Sequence, residues 1–255
     1  MSAYPETWRE DLLAALTFLT RLPLHRAMSE APASLADAAW AFPLVGVVVG
    51  AIGALAYSIA AGLDVPPIAA ALIAVGATAL VTGGLHEDGL ADTADGFGGG
   101  VDREEKLLIM RDSRTGVYGV LALLFSVALR VTAIGQIANG WRVLGALIAA
   151  HAVARGFLPA AMRFLDPARG DGLGAGAGRP ESSAVLWACG IGVVAAALSV
   201  GVRPGLAASI AAAAVMAVIG WFAQRQIGGQ TGDVLGAIEQ GGEVAALLAV
   251  AAWSA

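Results

Sequence analysis

The sequence predicts an all-α fold, a polytopic integral membrane helical bundle, and three observations carry that prediction. The chain is 58% apolar and 14% charged over 255 residues, where soluble domains run near 45–50% and about 25%. Its mean hydropathy is +0.74. Apolar stretches of about 20 residues, long enough to span a bilayer, recur along the chain six or seven times. The same figures exclude a disordered chain. A net charge of −5 argues against a nucleic-acid binder, and a lone cysteine, Cys189, against a disulfide scaffold or a cysteine metal site.

In chain order, the N-terminus MSAYPETWREDL lacks a basic n-region and an early apolar run, so no cleavable signal is expected. The stretch 8–22 is too short and too charged to span, and reads as an amphipathic helix at the interface. The spans are expected near 41–63, 67–85, 117–139, 142–162, 183–201, 205–223 and 233–254. The last is the weakest, because Glu239 and Glu243 sit in its first turns. Between the second and third spans, residues 103–110 read as a second, short interfacial helix. The whole chain, 1–255, is expected to form one membrane-embedded domain whose polar loops lie near 82–115, 163–182 and 224–243.

Basic residues orient this map. Arg9, Arg21, Arg26, Arg103, Lys106, Arg111, Arg114, Arg163, Arg169, Arg179 and Arg225 fall on one face, against only Arg142 and Arg203 on the other. By the positive-inside rule the first face is cytoplasmic. The acids gather there too, with Asp64 the clear exception. So much opposite charge on one face points to a site.

Four segments on that face could carry chemistry. In TGGLHEDGLADTADGFGGG, 82–100, Asp88, Asp92 and Asp95 are spaced four and three apart and share one helical face. Converging carboxylates repel unless a cation sits among them, and hard oxygen ligands suit Mg²⁺ or Mn²⁺. Glu87 points roughly 100° away from Asp88. In 103–120, Arg111, Asp112, Ser113 and Arg114 precede the third span, as phosphate-holding arginines or as ordinary anchoring residues. In 167–181, Arg169, Asp171 and Arg179 accompany a glycine run, either a phosphate cradle or a linker. In 226–243, Gln230, Thr231 and Asp233 open the last span, as helix caps or as part of an anion site. Glu239 and Glu243 are expected to face a polar cavity. Within spans, Arg155 is placed to reach a cytoplasmic cavity and meet substrate charge, with His151 one turn deeper. Arg130 is expected to snorkel to the far face. Trp141 and Trp221 read as interfacial anchors.

The chain has no G-x-S-x-G, Walker loop or H-E-x-x-H. A polyacidic metal site beside arginines at a membrane face is equipment for phosphoryl or nucleotidyl transfer.

The strings FLTRLP (18–23), FPLVG (42–46), GGLHEDGLADTADG (83–96), IMRDSRTGVYGVLAL (109–123), ARGDGLG (168–174) and GGQTGDVLGA (228–237) resemble the adenosylcobinamide-GDP ribazoletransferases, or cobalamin synthases. The resemblance implies a Mg²⁺-dependent enzyme of the bacterial inner membrane. It would join α-ribazole, or its 5′-phosphate, to adenosylcobinamide-GDP and release GMP, late in cobalamin assembly. It implies that Asp88, Asp92 and Asp95 hold Mg²⁺ on the pyrophosphate, with Glu87, a variable position in H-x-D-G-L-A-D, outside the ligand set. Arg111 and Arg114 would stabilise phosphate charge. Asp171, Gln230 and Asp233 would complete the site or place the ribazole, with Asp112, Ser113, Thr231 and Arg155 as further substrate contacts. An aspartate or His86 would act as base. The expected partners are these two substrates and the lipid bilayer, with no nucleic acid; either a monomer or an oligomer is compatible.

Two alternatives stand beside this. A CDP-alcohol phosphotransferase would need D-G-x-x-A-R followed by aspartates four apart, which the LAD after Asp88-Gly89 does not provide. A transporter or ion channel would need polar motifs distributed across the bilayer instead of at one face.

Overall fold

A computed structural model describes residues 4–24 and 34–254; Arg26, counted above among the basic residues, lies outside them. The described residues form α-helices and no strand, as the composition predicts. The helices are α1 (Tyr4–Leu19), α2 (Leu35–Ala38), α3 (Phe42–Gly62), α4 (Pro67–Thr82), α5 (Leu85–Gly99), α6 (Arg103–Ile109) and α7 (Val117–Ile137). They continue with α8 (Gly140–Phe164), α9 (Gly172–Gly176), α10 (Ser182–Val200), α11 (Val202–Ile227) and α12 (Gly232–Ser254).

Six helices among the described residues are long and apolar enough to cross a membrane: α3 with the segment leading into it, α7, α8, α10, α11 and α12. With α4 they reproduce the expected spans to within a few residues. The chain is a multi-pass membrane bundle. α4 is shorter, 16 residues, or about 24 Å at 1.5 Å per residue. α1 and α6 stand where interfacial helices are expected; α6 is started by Asp102, whose carboxylate accepts the Glu105 N–H at 2.9 Å.

The one departure in outline comes after α4. The sequence suggests a span to 85 with its helix continuing outward. Instead Gly83 and Gly84 both take left-handed backbone, φ +69° and +67°, which residues with a Cβ rarely adopt. The chain bends by 92°, so α5 is a separate helix turned away from the direction of α4.

Packing inverts the soluble pattern. Large side chains such as Leu55, Leu72, Phe125, Leu198 and Ile210 are exposed on the outside, while the interior is dominated by alanine. Lipid gives no hydrophobic drive for helices to associate, so they associate through close backbone approach. A Cβ on Gly50 of α3 would stand 2.6 Å from the Leu147 carbonyl oxygen of α8. α8 packs on α3, α10 and α12, and α12 packs on α11, α5, α8 and α7, so these two helices form the centre. Trp141 and Trp221 are exposed near helix ends, and the Arg225 guanidinium lies 5.3 Å over the Trp221 ring.

Candidate active site

The polar face is built around the crossing of α5 and α12. A Cβ on Gly89 would lie 2.7 Å from the Asp233 carbonyl oxygen and 3.1 Å from the Gly236 Cα. Only glycine lets the helices come this close, and the contact sets Asp88 and Asp92 beside Asp233 in the first turn of α12. Asp88 is exposed and Asp92 half-buried, so the group opens to solvent. Burial, then the Asp88, Asp233 and Asp95 carboxylates, push Asp92 up to about 7. Such mutual repulsion is what a bound cation relieves.

Asp95 shares the helical face but has a different occupation. It is buried, and its two oxygens accept the N–H groups of Gly116 at 2.7 Å and Gly119 at 2.9 Å. It therefore caps the N-terminus of α7, where backbone donors and the helix dipole favour a carboxylate.

The expected loops converge from the sides. The Thr231 hydroxyl accepts the Val234 N–H at 3.2 Å and donates to Asp233 Oδ2 at 3.1 Å, so this residue both caps α12 and orients the aspartate. Arg169 Nη2 stands 3.4 Å from the same oxygen. Arg169 Nε is 3.8 Å from Asp171, whose two oxygens accept from Arg111 Nη2 at 2.6 and 2.8 Å. A chain of alternating charge thus runs from Arg111 through Asp171 and Arg169 to Asp233. The sequence leaves Arg169 between a phosphate cradle and a linker; its place beside Asp233 brings it to the aspartates.

Arg114 folds back on Asp112, donating through its backbone N–H at 3.0 Å and its guanidinium at 2.6–3.2 Å. These bonds lower Asp112 to about 2. Ser113 and Arg114 are exposed. Gln230 is buried: its backbone pairs with Asp166 and Ala168, and its amide N–H reaches the Gly174 carbonyl at 3.4 Å. Arg103 donates to the Ile227 and Ala168 carbonyls, tying α6 to the same loops.

The charges within the spans do something other than expected. Arg155 is 1% exposed. Its guanidinium pairs with Glu239 and lies 2.9 Å from His151 Nδ1 and 3.4 Å from His86 Nδ1. It stands buried in the bundle and not in an open cavity, with its charge paired to Glu239. Arg130, also 1% exposed, does not snorkel; it donates to Glu87 at 3.2 Å and Glu243 at 3.1 Å. Glu243 lies 3.0 Å from His151, and Gln240 donates to Glu239 at 3.1 Å. Glu239 and Glu243 thus face cations on α7 and α8 instead of a polar cavity. An isolated charge inside a membrane is expensive, and pairing is the way it persists. The sequence signal was the matched spacing of four: His151 and Arg155 on one span, Glu239 and Glu243 on another.

Among the described residues, the one set of His, Cys, Asp or Glu atoms already within metal-ligand reach is His151, Glu239 and Glu243. Arg155 supplies the positive charge there. Asp88, Asp92 and Asp233 are more open. Openness suits Mg²⁺, which usually takes one or two carboxylates together with waters and substrate phosphates. The donors fit it.

A family model described as cobalamin-5-phosphate synthase matches residues 11–251. A Bradyrhizobium diazoefficiens protein named adenosylcobinamide-GDP ribazoletransferase is 49% identical over 95% of this chain and 94% of its own. Proteins of the same name from Mesorhizobium japonicum and Brucella ovis are 43% and 41% identical. They cover 96% and 93% of this chain and 93% and 95% of their own lengths. No solved structure matches.

Proposed function

The chain belongs to the cobalamin-5-phosphate synthase family, and on that premise we propose that it is an adenosylcobinamide-GDP ribazoletransferase. A ribose hydroxyl of α-ribazole, or of its 5′-phosphate, bonds to the phosphorus that bears cobinamide. The pyrophosphate P–O bond breaks, GMP leaves, and the hydroxyl proton passes to a carboxylate of the cluster. Adenosylcobalamin or its phosphate is the product.

The observation that carries this reading is the meeting of Asp88 and Asp92 with Asp233 at the α5–α12 crossing. These three would hold Mg²⁺, which when bound neutralises charge on the pyrophosphate. Arg169 balances Asp233. Arg111, exposed and donating to both oxygens of Asp171 through Nη2, can exchange that carboxylate for a phosphate, to which a guanidinium can present two parallel N–H groups. Arg114, held by Asp112, waits at the rim. The N-terminus of α12 adds backbone donors where anionic oxygens would lie. Asp95 serves the reaction by fixing α7 against α5.

Eleven basic residues against two support a cytoplasmic site, and the relatives are bacterial, which favours the inner membrane. The test is purified protein in nanodiscs given adenosylcobinamide-GDP, α-ribazole 5′-phosphate and Mg²⁺. GMP release matched by cobalamin product, and abolished by EDTA, is the expected result. Intact substrates beside well-folded protein would overturn the proposal.

A further inference from the structure

Away from the aspartates, a groove of about 410 Å³ separates α8 from α11, a volume within the roughly 300–1,000 Å³ usual for ligand sites. Ala160 and Phe164 wall it from α8, Ala217 and Trp221 from α11, and Cys189 of α10 and Ile238 of α12 add to the lining. Phe164 and Trp221 are exposed and Ile238 is buried, so the groove runs from the lipid-facing surface inward to α12. Close by, α8 packs backbone on backbone: a Cβ on Gly156 would lie 2.9 Å from the Ala188 carbonyl oxygen of α10. Between α8 and α11 an apolar gap persists instead, a space that suits an acyl chain better than water.

The end of this groove at the polar loops is basic. Arg225 stands one turn beyond Trp221, its guanidinium 5.3 Å over the ring. Arg163 immediately precedes Phe164 and donates to the Pro180 carbonyl at 2.7 Å. Among the described residues neither guanidinium forms an ion pair, while the neighbouring acid, Asp166, lies 3.6 Å from Arg179. Two uncompensated cations therefore stand where the apolar groove meets the membrane surface. A groove of the same volume at the opposite ends of α8 and α11, lined by Trp141, Arg142 and Trp253, has one arginine in its wall.

We propose that this groove holds an anionic phospholipid, with an acyl chain between α8 and α11 and the phosphate against Arg163 and Arg225. Guanidinium groups make strong, charge-assisted hydrogen bonds to phosphate, and basic residues at the membrane surface favour anionic over neutral lipids. A zwitterionic lipid offers the same chain, but its own cation cancels the phosphate charge, so the arginines select by net charge. The Trp221 ring stands where the chain would give way to the headgroup, the depth at which indoles are favoured.

The test titrates the full chain in detergent with phosphatidylglycerol or phosphatidylcholine and reads the Kd of the first bound lipid by native mass spectrometry. Phosphatidylglycerol is expected to bind more tightly by about tenfold or more. Arg163→Gln combined with Arg225→Gln should bring it to the level of phosphatidylcholine, whose Kd stays as in wild type. Arg142→Gln, at the other end of the bundle, should leave the preference intact. Ala217→Phe fills the groove and should weaken both lipids. Equal affinities in the wild-type protein overturn the proposal, as does a preference that survives loss of both arginines or disappears with Arg142→Gln. Unchanged binding in folded Ala217→Phe overturns it as well. A dimer that Ala217→Phe dissociates, with no lipid preference, would give the groove to a second copy of the chain instead.

Discussion

Gly89 of α5 and Gly236 of α12 touch backbone to backbone: a Cβ on Gly236 would lie 3.1 Å from the Gly89 Cα. The whole site hangs on this contact, since it joins two helices that each bring carboxylates. Gly89→Val should push them apart at an overpacking cost of about 1–3 kcal/mol. Thermal stability in detergent should fall and GMP release should be lost. A variant with wild-type turnover would detach the site from the crossing.

Asp92→Asn keeps the volume and removes the charge. The protein should still insert and elute as wild type, while turnover falls by more than the about 10–100-fold that supporting residues of metal sites carry. The half-saturating Mg²⁺ concentration should rise as well. Turnover and a Mg²⁺ titration on the purified variant decide this, and wild-type values would remove the metal assignment.

Asp95 should behave differently, because its oxygens serve the Gly116 and Gly119 N–H groups. Asp95→Ala is expected to cost about 0.5–2 kcal/mol, the worth of a helix cap, and to lower Tm. The Mg²⁺ concentration dependence of whatever activity remains should match wild type. A shifted Mg²⁺ titration would make Asp95 a ligand after all.

The Arg111–Asp171 pair is exposed on both sides, and such pairs contribute about 0–1 kcal/mol. Arg111→Lys should therefore leave Tm unchanged. It should still lower kcat/KM, because an ammonium cannot make the bidentate contact to phosphate. Equal kcat/KM in the two proteins would confine Arg111 to the surface.

Arg155→Leu should be the most destabilising of these changes. It leaves Glu239 buried without its cation, a loss of about 3–5 kcal/mol for broken buried pairs. Adding Glu239→Leu should recover much of that. A double-mutant cycle on thermal stability reads the coupling directly, and additive effects would contradict the pairing.

The span map, the charge asymmetry and the aspartate cluster were all legible in the residue order. Hydropathy over 20 residues, and spacing along one helix, depend only on near neighbours. The sequence by itself determined that this is a many-span bundle with its polar loops on one face and carboxylates at helical spacing. The partners of those charges were another matter. Arg130 and Glu243 are 113 residues apart, and Arg155 and His86 69 apart; nothing local in the chain says whether a charged side chain in a span turns inward or snorkels out. Asp95 likewise belonged by spacing to the cluster, and only the approach of α7 gave its oxygens other donors. Tertiary structure decided these points because backbone-close crossings, allowed by glycines such as Gly89 and Gly236, determine which charges share a low-dielectric interior. There each must find an opposite charge or a hydrogen bond.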